Sequence, residues 1–212
     1  MKDPLDYKEP IIKIYLVRHG RTKANVLKLL FGQLDWDLIQ EGIKDAKGVA
    51  NKLSKLVKNE KIDCIISSPL KRTRHTAKII SKKLKIKKII FDKNLMERSE
   101  GKWSGKTFWI VRDEDPKNYY RWIKNPIKSR PPEGESIIDL NKRVKKFYKK
   151  VLKKYIDKNI IVVAHSGSIK AFILNVLNLN LKSYWKINVN CGSITEIHLS
   201  KKQKVLWAMN LT

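Results

Sequence analysis

Apolar positions along this chain fall into short runs that alternate with helical periodicities. Residues 11–17, interrupted only by Lys13, read as a buried strand. Over residues 42–57, Ile43, Ala46, Ala50, Leu53 and Val57 recur at three- and four-residue spacing, which predicts a helix with one apolar face. A second apolar run, 62–67, leads into Ser68-Pro69, read as a serine cap with proline at the first position of a helix reaching to about Leu84. Strand character resumes over 86–91. Residues 92–135 are irregular, with glycines, tryptophans and a Pro-Pro pair, and short helices are expected near Phe108 and Tyr119. From Ser136 to Tyr155, Ile137, Leu140, Val144, Phe147, Val151 and Tyr155 share one face of a long helix. The stretch "NIIVVAHSGS" is a fully apolar strand running into a histidine, and "IKAFILNVL" reads as a helix buried on most sides. Strands over 186–190, 193–199 and 204–209 close the chain.

Apolar strands joined by helices indicate an α/β fold, a mostly parallel sheet covered on both faces. No linker, repeat or low-complexity segment divides it, so 1–212 reads as a single domain with a polar N-terminal extension over 1–10. A chain of 212 residues can bury one substantial core. No stretch approaches the roughly 20 apolar residues a membrane span needs. The apolar segment after the polar N-terminus is too short for a signal-peptide core, so a cytoplasmic protein without a membrane partner is expected. Cys64 and Cys191 lie far apart with no metal-ligand spacing and read as core thiols in a reducing compartment.

Charge changes the picture more. The chain carries 47 Lys+Arg against 20 Asp+Glu, a net charge of +27, and such a field attracts phosphate metabolites, nucleic acid or anionic surfaces. The lysines are spread through nearly every segment, however. On the helix over 136–155, Lys142, Lys145, Lys146, Lys149, Lys150, Lys153 and Lys154 fill the positions that the apolar face leaves, an ordinary solvated surface. A compositional bias is favoured over a dedicated polyanion site, and no specific nucleic-acid partner is expected.

In open α/β sheets ligands bind beyond the carboxyl ends of the strands. Here Val17 runs into Arg18-His19, Ser67 precedes Arg72, and Ala164 runs into His165. Each lies beside a glycine-containing loop or a helix start, where unpaired backbone N–H groups can face an anion. Arginines, histidines and helix N-termini converging on one crevice would hold a tetrahedral dianion, for which the arginine fork is well shaped.

The ordered motifs "LVRHGRTKAN", "GQLDWDLIQEGIKDA", "ISSPLKRTRHTA", "LMERSEGKWSG", "PPEGES" and "VVAHSG" resemble the landmarks of the histidine phosphatase superfamily, the branched family of phosphoglycerate mutases and related phosphatases. The resemblance runs from about Ile14 to Met209 and implies a three-layer α/β/α sandwich. It implies that His19 attacks phosphorus and becomes a phosphohistidine. Arg18, Arg72 and His165 would hold the equatorial oxygens, and Asn25 would add a hydrogen bond. Gly32, Gln33 and Ser166 join the implied phosphate- and substrate-binding set. Glu97 would protonate the leaving oxygen and later deprotonate water. No metal and no cofactor are implied, because the arginines supply the positive charge.

Two departures stand out. Arg21 replaces the acidic residue of many relatives and adds charge beside the pocket. Polar Ser99 and Glu100 sit where apolar residues are usual, so Glu100 rivals Glu97. The middle segment more closely resembles that of the shorter phosphatase branch, so hydrolysis of a small phosphomonoester is expected. A cofactor-dependent phosphoglycerate mutase and a nucleic-acid-binding module on a phosphatase-like frame remain the alternatives. Substrate choice is assigned to residues 31–36 and 108–130, with 98–135 as a lid or insert; Trp36, Trp109, Tyr119, Tyr120 and Trp122 are either lid or local core. His75 is a minor candidate for substrate contact, His198 reads as the polar side of a late strand, and self-association into a homodimer is left open.

Overall fold

The computed structural model describes residues 12–200 and 202–212; the expected polar extension over 1–10 and Ile11 lie outside them. Six strands, β1 (Ile12–Arg18), β2 (Cys64–Ser67), β3 (Ile89–Phe91), β4 (Asn159–Ala164), β5 (Ile194–Leu199) and β6 (Lys204–Leu211), form one sheet in the order β3-β2-β4-β1-β5-β6. Neighbours from β3 to β1 pair in parallel, and β5 alone runs against the rest. The helices are α1 (Lys23–Val26), α2 (Gln40–Leu56), α3 (Lys71–Leu84), α4 (Phe108–Glu114), α5 (Pro116–Lys124), α6 (Ile137–Lys154) and α7 (Ser166–Val176).

Because successive strand residues face opposite sides, the apolar strands feed two cores. Ile14, Leu16, Ile66, Ile160 and Val162 point to one side, where Leu140, Val144 and Phe147 of α6 and Phe172 of α7 cover them. Tyr15, Val17, Ile65, Ile161 and Val163 point to the other, under Val49 and Leu53 of α2 and Ala77 and Ile80 of α3. The expected layering, helices on both faces of a mostly parallel sheet, is therefore present. A separate small core of Leu30, Trp103, Val111 and Trp122 holds α4 and α5 together, at the places where short helices are expected near Phe108 and Tyr119. Among the described residues no helix is long and apolar enough to cross a membrane.

Three local expectations differ, and one short element was not anticipated. The segment 186–190 is not a strand: a 3-10 helix, Leu181–Lys186, leads into it, and side chains rather than a ladder satisfy its backbone. Asn210 Nδ2 donates to the Asn188 carbonyl, Asn210 Oδ1 accepts from the Asn190 N–H, and Arg18 donates to the Val189 carbonyl. Strand pairing in the run over 86–91 is confined to Ile89–Phe91. α3 starts at Lys71, with Leu70 at its N-cap and no side-chain cap; Ser68 lies two residues earlier, where its Oγ meets the Leu70 N–H at 3.4 Å and His165 at 2.8 Å. Lastly, α1 is a single turn closed by a capping box between Thr22 and Asn25, too short for periodicity to reveal.

Candidate active site

Parallel pairing fixes where three loops begin. Arg18 of β1 lies beside Ala164 of β4, and Ser67 of β2 beside Val163, so His19, His165 and Ser68 leave the sheet side by side. The backbone ladder continues one step into the loops: the His19 N–H donates to the Ala164 carbonyl and the Ser68 N–H to that of Val163. Gly20 then passes so close to α2 that a Cβ would lie 2.1 Å from the Gly42 carbonyl oxygen. Only glycine allows the β1 loop to turn there.

His19 is 1% exposed, and its ring centre lies 5.1 Å from that of His165. Nδ1 is 2.7 Å from the Gly20 carbonyl oxygen. A carbonyl can only accept, so Nδ1 carries the proton and the Nε2 lone pair is left for chemistry. Burial, then the charges of Arg72 and Arg18, hold this imidazole well below the usual histidine range and keep it neutral.

Arg72, in the first turn of α3, is fully buried. Its Nε donates to His165 Nδ1 at 3.2 Å, Nη1 to the Leu34 carbonyl at 2.8 Å and Nη2 to the Gly32 carbonyl at 2.7 Å, while Phe31 lies against its face. Burial pulls the guanidinium down to about 10, so it stays charged at neutral pH. Because Arg72 occupies His165 Nδ1, the His165 proton sits on Nε2 and is donated to Ser68 Oγ at 2.8 Å. Burial first, then Arg72, keeps His165 neutral as well. Arg18 holds the Val189 carbonyl at 2.6 Å through Nη1, and its buried Nε has no protein partner among the described residues.

Glu97 reaches the same crevice from the loop after β3. Its carboxylate accepts from the Arg98 N–H at 2.8 Å and from the Gly167 N–H, in the first turn of α7, at 3.0 Å. A Cβ at Gly167 would come within 2.2 Å of Glu97 Oε1, so this approach too depends on glycine. Gln33 Nε2 donates to the Glu97 carbonyl at 3.0 Å and so holds the backbone of the loop. Asn25 Oδ1 accepts from the Thr22 N–H and hydroxyl, an arrangement that closes α1. Ser166 is the first residue of α7, directly after His165 at its N-cap.

The rivals take other places. Glu100 is buried in a forked ion pair with Arg98 at 2.7 and 2.8 Å, and burial pushes its carboxyl up against the opposing pull of Arg98. Arg21 does not add free charge to the pocket: its guanidinium is clamped by both oxygens of Asp45 on α2. His75 pairs with Asp37 at the surface. His198 lies with Glu196 on one side of β5, as expected; it is buried, bonded to Glu196 at 2.7 Å and stacked on Trp207. Burial raises both thiols, Cys64 and Cys191, so neither is poised as a nucleophile. Of the aromatic residues, Trp122 belongs to the small core and Tyr119 packs on it, while Trp109 and Tyr120 are exposed.

Several participants were not visible beforehand. Arg143 of α6 reaches the Asn94, Met96 and Glu97 carbonyls and forms a forked pair with Glu135, whose Oε2 also accepts from the Ser99 N–H. These bonds clamp the loop that carries Glu97. The available signal was a single arginine in a helix otherwise rich in lysine. Ser68 and Tyr184, whose hydroxyl lies beside Gly167, had no such signal.

The family model for the histidine phosphatase superfamily (branch 1) matches residues 14–212. The chain belongs to this superfamily. It is 32% identical over 202 residues to phosphoserine phosphatase 1 of Hydrogenobacter thermophilus, covering 95% of this chain and 93% of that one. Among solved structures, a putative α-ribazole-5'-P phosphatase from Escherichia coli K-12 superposes with a TM-score of 0.86 at 25% identity, covering 94% of this histidine phosphatase and 96% of that chain. A mutant phosphoserine phosphatase from Entamoeba histolytica in complex with phosphoserine superposes with a TM-score of 0.80 at 28% identity, covering 94% and 96%.

Proposed function

We propose that this histidine phosphatase is a phosphomonoesterase that hydrolyses a small phosphorylated metabolite in the cytoplasm through a phosphohistidine at His19, without a metal ion. The observation that carries the reading is the state of His19: buried, neutral, with its Nδ1 proton given to Gly20 and its Nε2 lone pair free of that bond. Nε2 attacks phosphorus as the bond to the leaving oxygen breaks, and Glu97 delivers a proton to that oxygen. Water then attacks the phosphoryl group, Glu97 takes its proton, the P–N bond breaks, and His19 returns neutral. Arg18 and Arg72 meet the negative charge of the transferring group, the task a metal ion performs elsewhere. His165 orients Arg72 through Nδ1 and turns toward the phosphoryl oxygens once Ser68 yields. Asn25 and Ser166 add donors at the loop and helix ends, and Gly32 and Gln33 set Arg72 and Glu97 from behind. Residues 98–135 form the lid side of the pocket within one domain.

The named relatives are phosphatases, which supports hydrolysis over phosphoryl shuttling, and nothing favours the mutase or the binding-module alternative. Rapid acid-free quenching with a 32P-labelled phosphomonoester should trap an adduct that is stable in base and labile in acid. His19→Ala should form none. An acid-stable adduct would assign the nucleophile to a different residue type.

A further inference from the structure

Lys170 differs from the lysines on the outer helical faces. It lies on α7 three and four residues after Gly167 and Ser166, on the side of the helix that those residues share. Helical side chains lean back toward the N-terminus. The Lys170 ammonium is thereby carried toward the helix end where Gly167 holds the Glu97 carboxylate. The charges of both Glu97 and Arg18 act on it. Its Nζ lies 5.2 Å from the ring centre of Tyr184 and 5.9 Å from that of Trp185, a cation set against two aromatic faces. The Tyr184 hydroxyl is in the same place, because a Cβ at Gly167 would meet it at 2.7 Å and Glu97 Oε1 at 2.2 Å.

Among the described residues no carboxylate is within ion-pair distance of Lys170, although Lys106, Lys102 and Lys150 each have one. A partly buried ammonium without a counter-charge is unfavourable unless something completes it. The adjoining space is where the alcohol part of a substrate must lie, since Glu97 addresses the leaving oxygen. We propose that Lys170 is a specificity-determining residue that binds a carboxylate on the leaving alcohol, with the Tyr184 hydroxyl as a second donor. The preferred substrates are then phosphorylated hydroxy or amino acids. The inference rests on the phosphatase reading of the site. The competing role is purely electrostatic, with Lys170 acting on Glu97 and affecting every alkyl phosphate alike.

Two matched pairs separate these roles: 3-phosphoglycerate against glycerol 3-phosphate, and O-phosphoserine against O-phosphoethanolamine. Within each pair the members differ in the carboxylate. The wild-type enzyme should favour the carboxylate member of each. Lys170→Gln should lower kcat/KM for those members about 10- to 100-fold, mainly through KM, while the carboxylate-free members lose at most about threefold. Lys170→Arg should restore most of the loss, and unchanged melting temperatures would show both variants folded. Equal losses across all four substrates, no loss on any, or a wild-type enzyme indifferent to the carboxylate would overturn the inference while leaving the phosphatase intact. Failure of wild-type enzyme to form a phosphoenzyme from any of the four or from p-nitrophenyl phosphate would instead remove the phosphatase reading, and this inference with it.

Discussion

Glu97 and Glu100 are three residues apart in one loop, yet their surroundings assign them different work. The Glu100 carboxylate is spent on Arg98 in a buried pair, whereas that of Glu97 is held by two backbone N–H groups, that of Arg98 in its own loop and that of Gly167 in the first turn of α7. If Glu97 is the general acid, its value depends on the leaving group. An alkoxide departs poorly without a proton, whereas p-nitrophenolate needs no help. General acid catalysis is typically worth about 10²–10⁴-fold. Glu97→Gln should therefore slow phosphoenzyme formation from alkyl phosphates by about that factor and from p-nitrophenyl phosphate far less. Single-turnover kinetics are required, because Glu97 as base would also slow the second step. Glu100→Gln should show no leaving-group contrast, and its cost should appear in stability, since it leaves the Arg98 guanidinium buried without its counter-charge and with one acceptor oxygen fewer. A leaving-group-selective loss in Glu100→Gln would transfer the acid to that residue.

At the scale of elements, the site is a product of strand ends held in register and one loop held from behind. Strand ends are legible in a sequence. An apolar run that stops at Arg18-His19 or at His165 marks both the strand and the residue it presents, so His19, Arg72 and His165 are found together where expected. The clamps are not legible in the same way. Arg143 is 46 residues from the Glu97 carbonyl it holds, and Ser68 is 97 from His165, so no local pattern connects them. The segment 186–190 misleads for a related reason: the side chains of Asn210 and Arg18, from elsewhere in the chain, take the place of a ladder. The clamp has a measurable consequence. A lysine cannot reproduce the arginine fork that binds three carbonyls and Glu135 at once. Arg143→Lys should lower stability by about 1–3 kcal/mol in urea unfolding. It should also slow alkyl phosphate turnover more than p-nitrophenyl phosphate turnover, because Glu97 is what the loop carries. A loss of stability with both substrates slowed equally would confine Arg143 to a structural role.

For the whole molecule the dominant fact is a net charge of +27 on one compact α/β frame. The site uses little of it. Arg72 and Arg18 are fixed inside by carbonyls, Arg21 is matched by Asp45, and the lysines of α6 stand on its solvated side, where Lys150 pairs with Asp92; Glu196 pairs with His198 and Glu60 with Lys13. Charge spread in this way is expected to give attraction to polyanions without sequence reading. Any binding to DNA should then arise from release of counterions as lysines neutralise phosphates. With about four phosphates engaged, the affinity should fall roughly 100-fold between 50 and 200 mM salt, with a log–log slope near −0.9 per phosphate. Duplexes of unrelated sequence should bind alike, and titrations by fluorescence anisotropy at several salt concentrations measure both quantities. Binding that prefers one sequence and persists near physiological salt would mean that the lysines form a recognition surface, and the charge would then have a partner beyond the proposed small phosphomonoester.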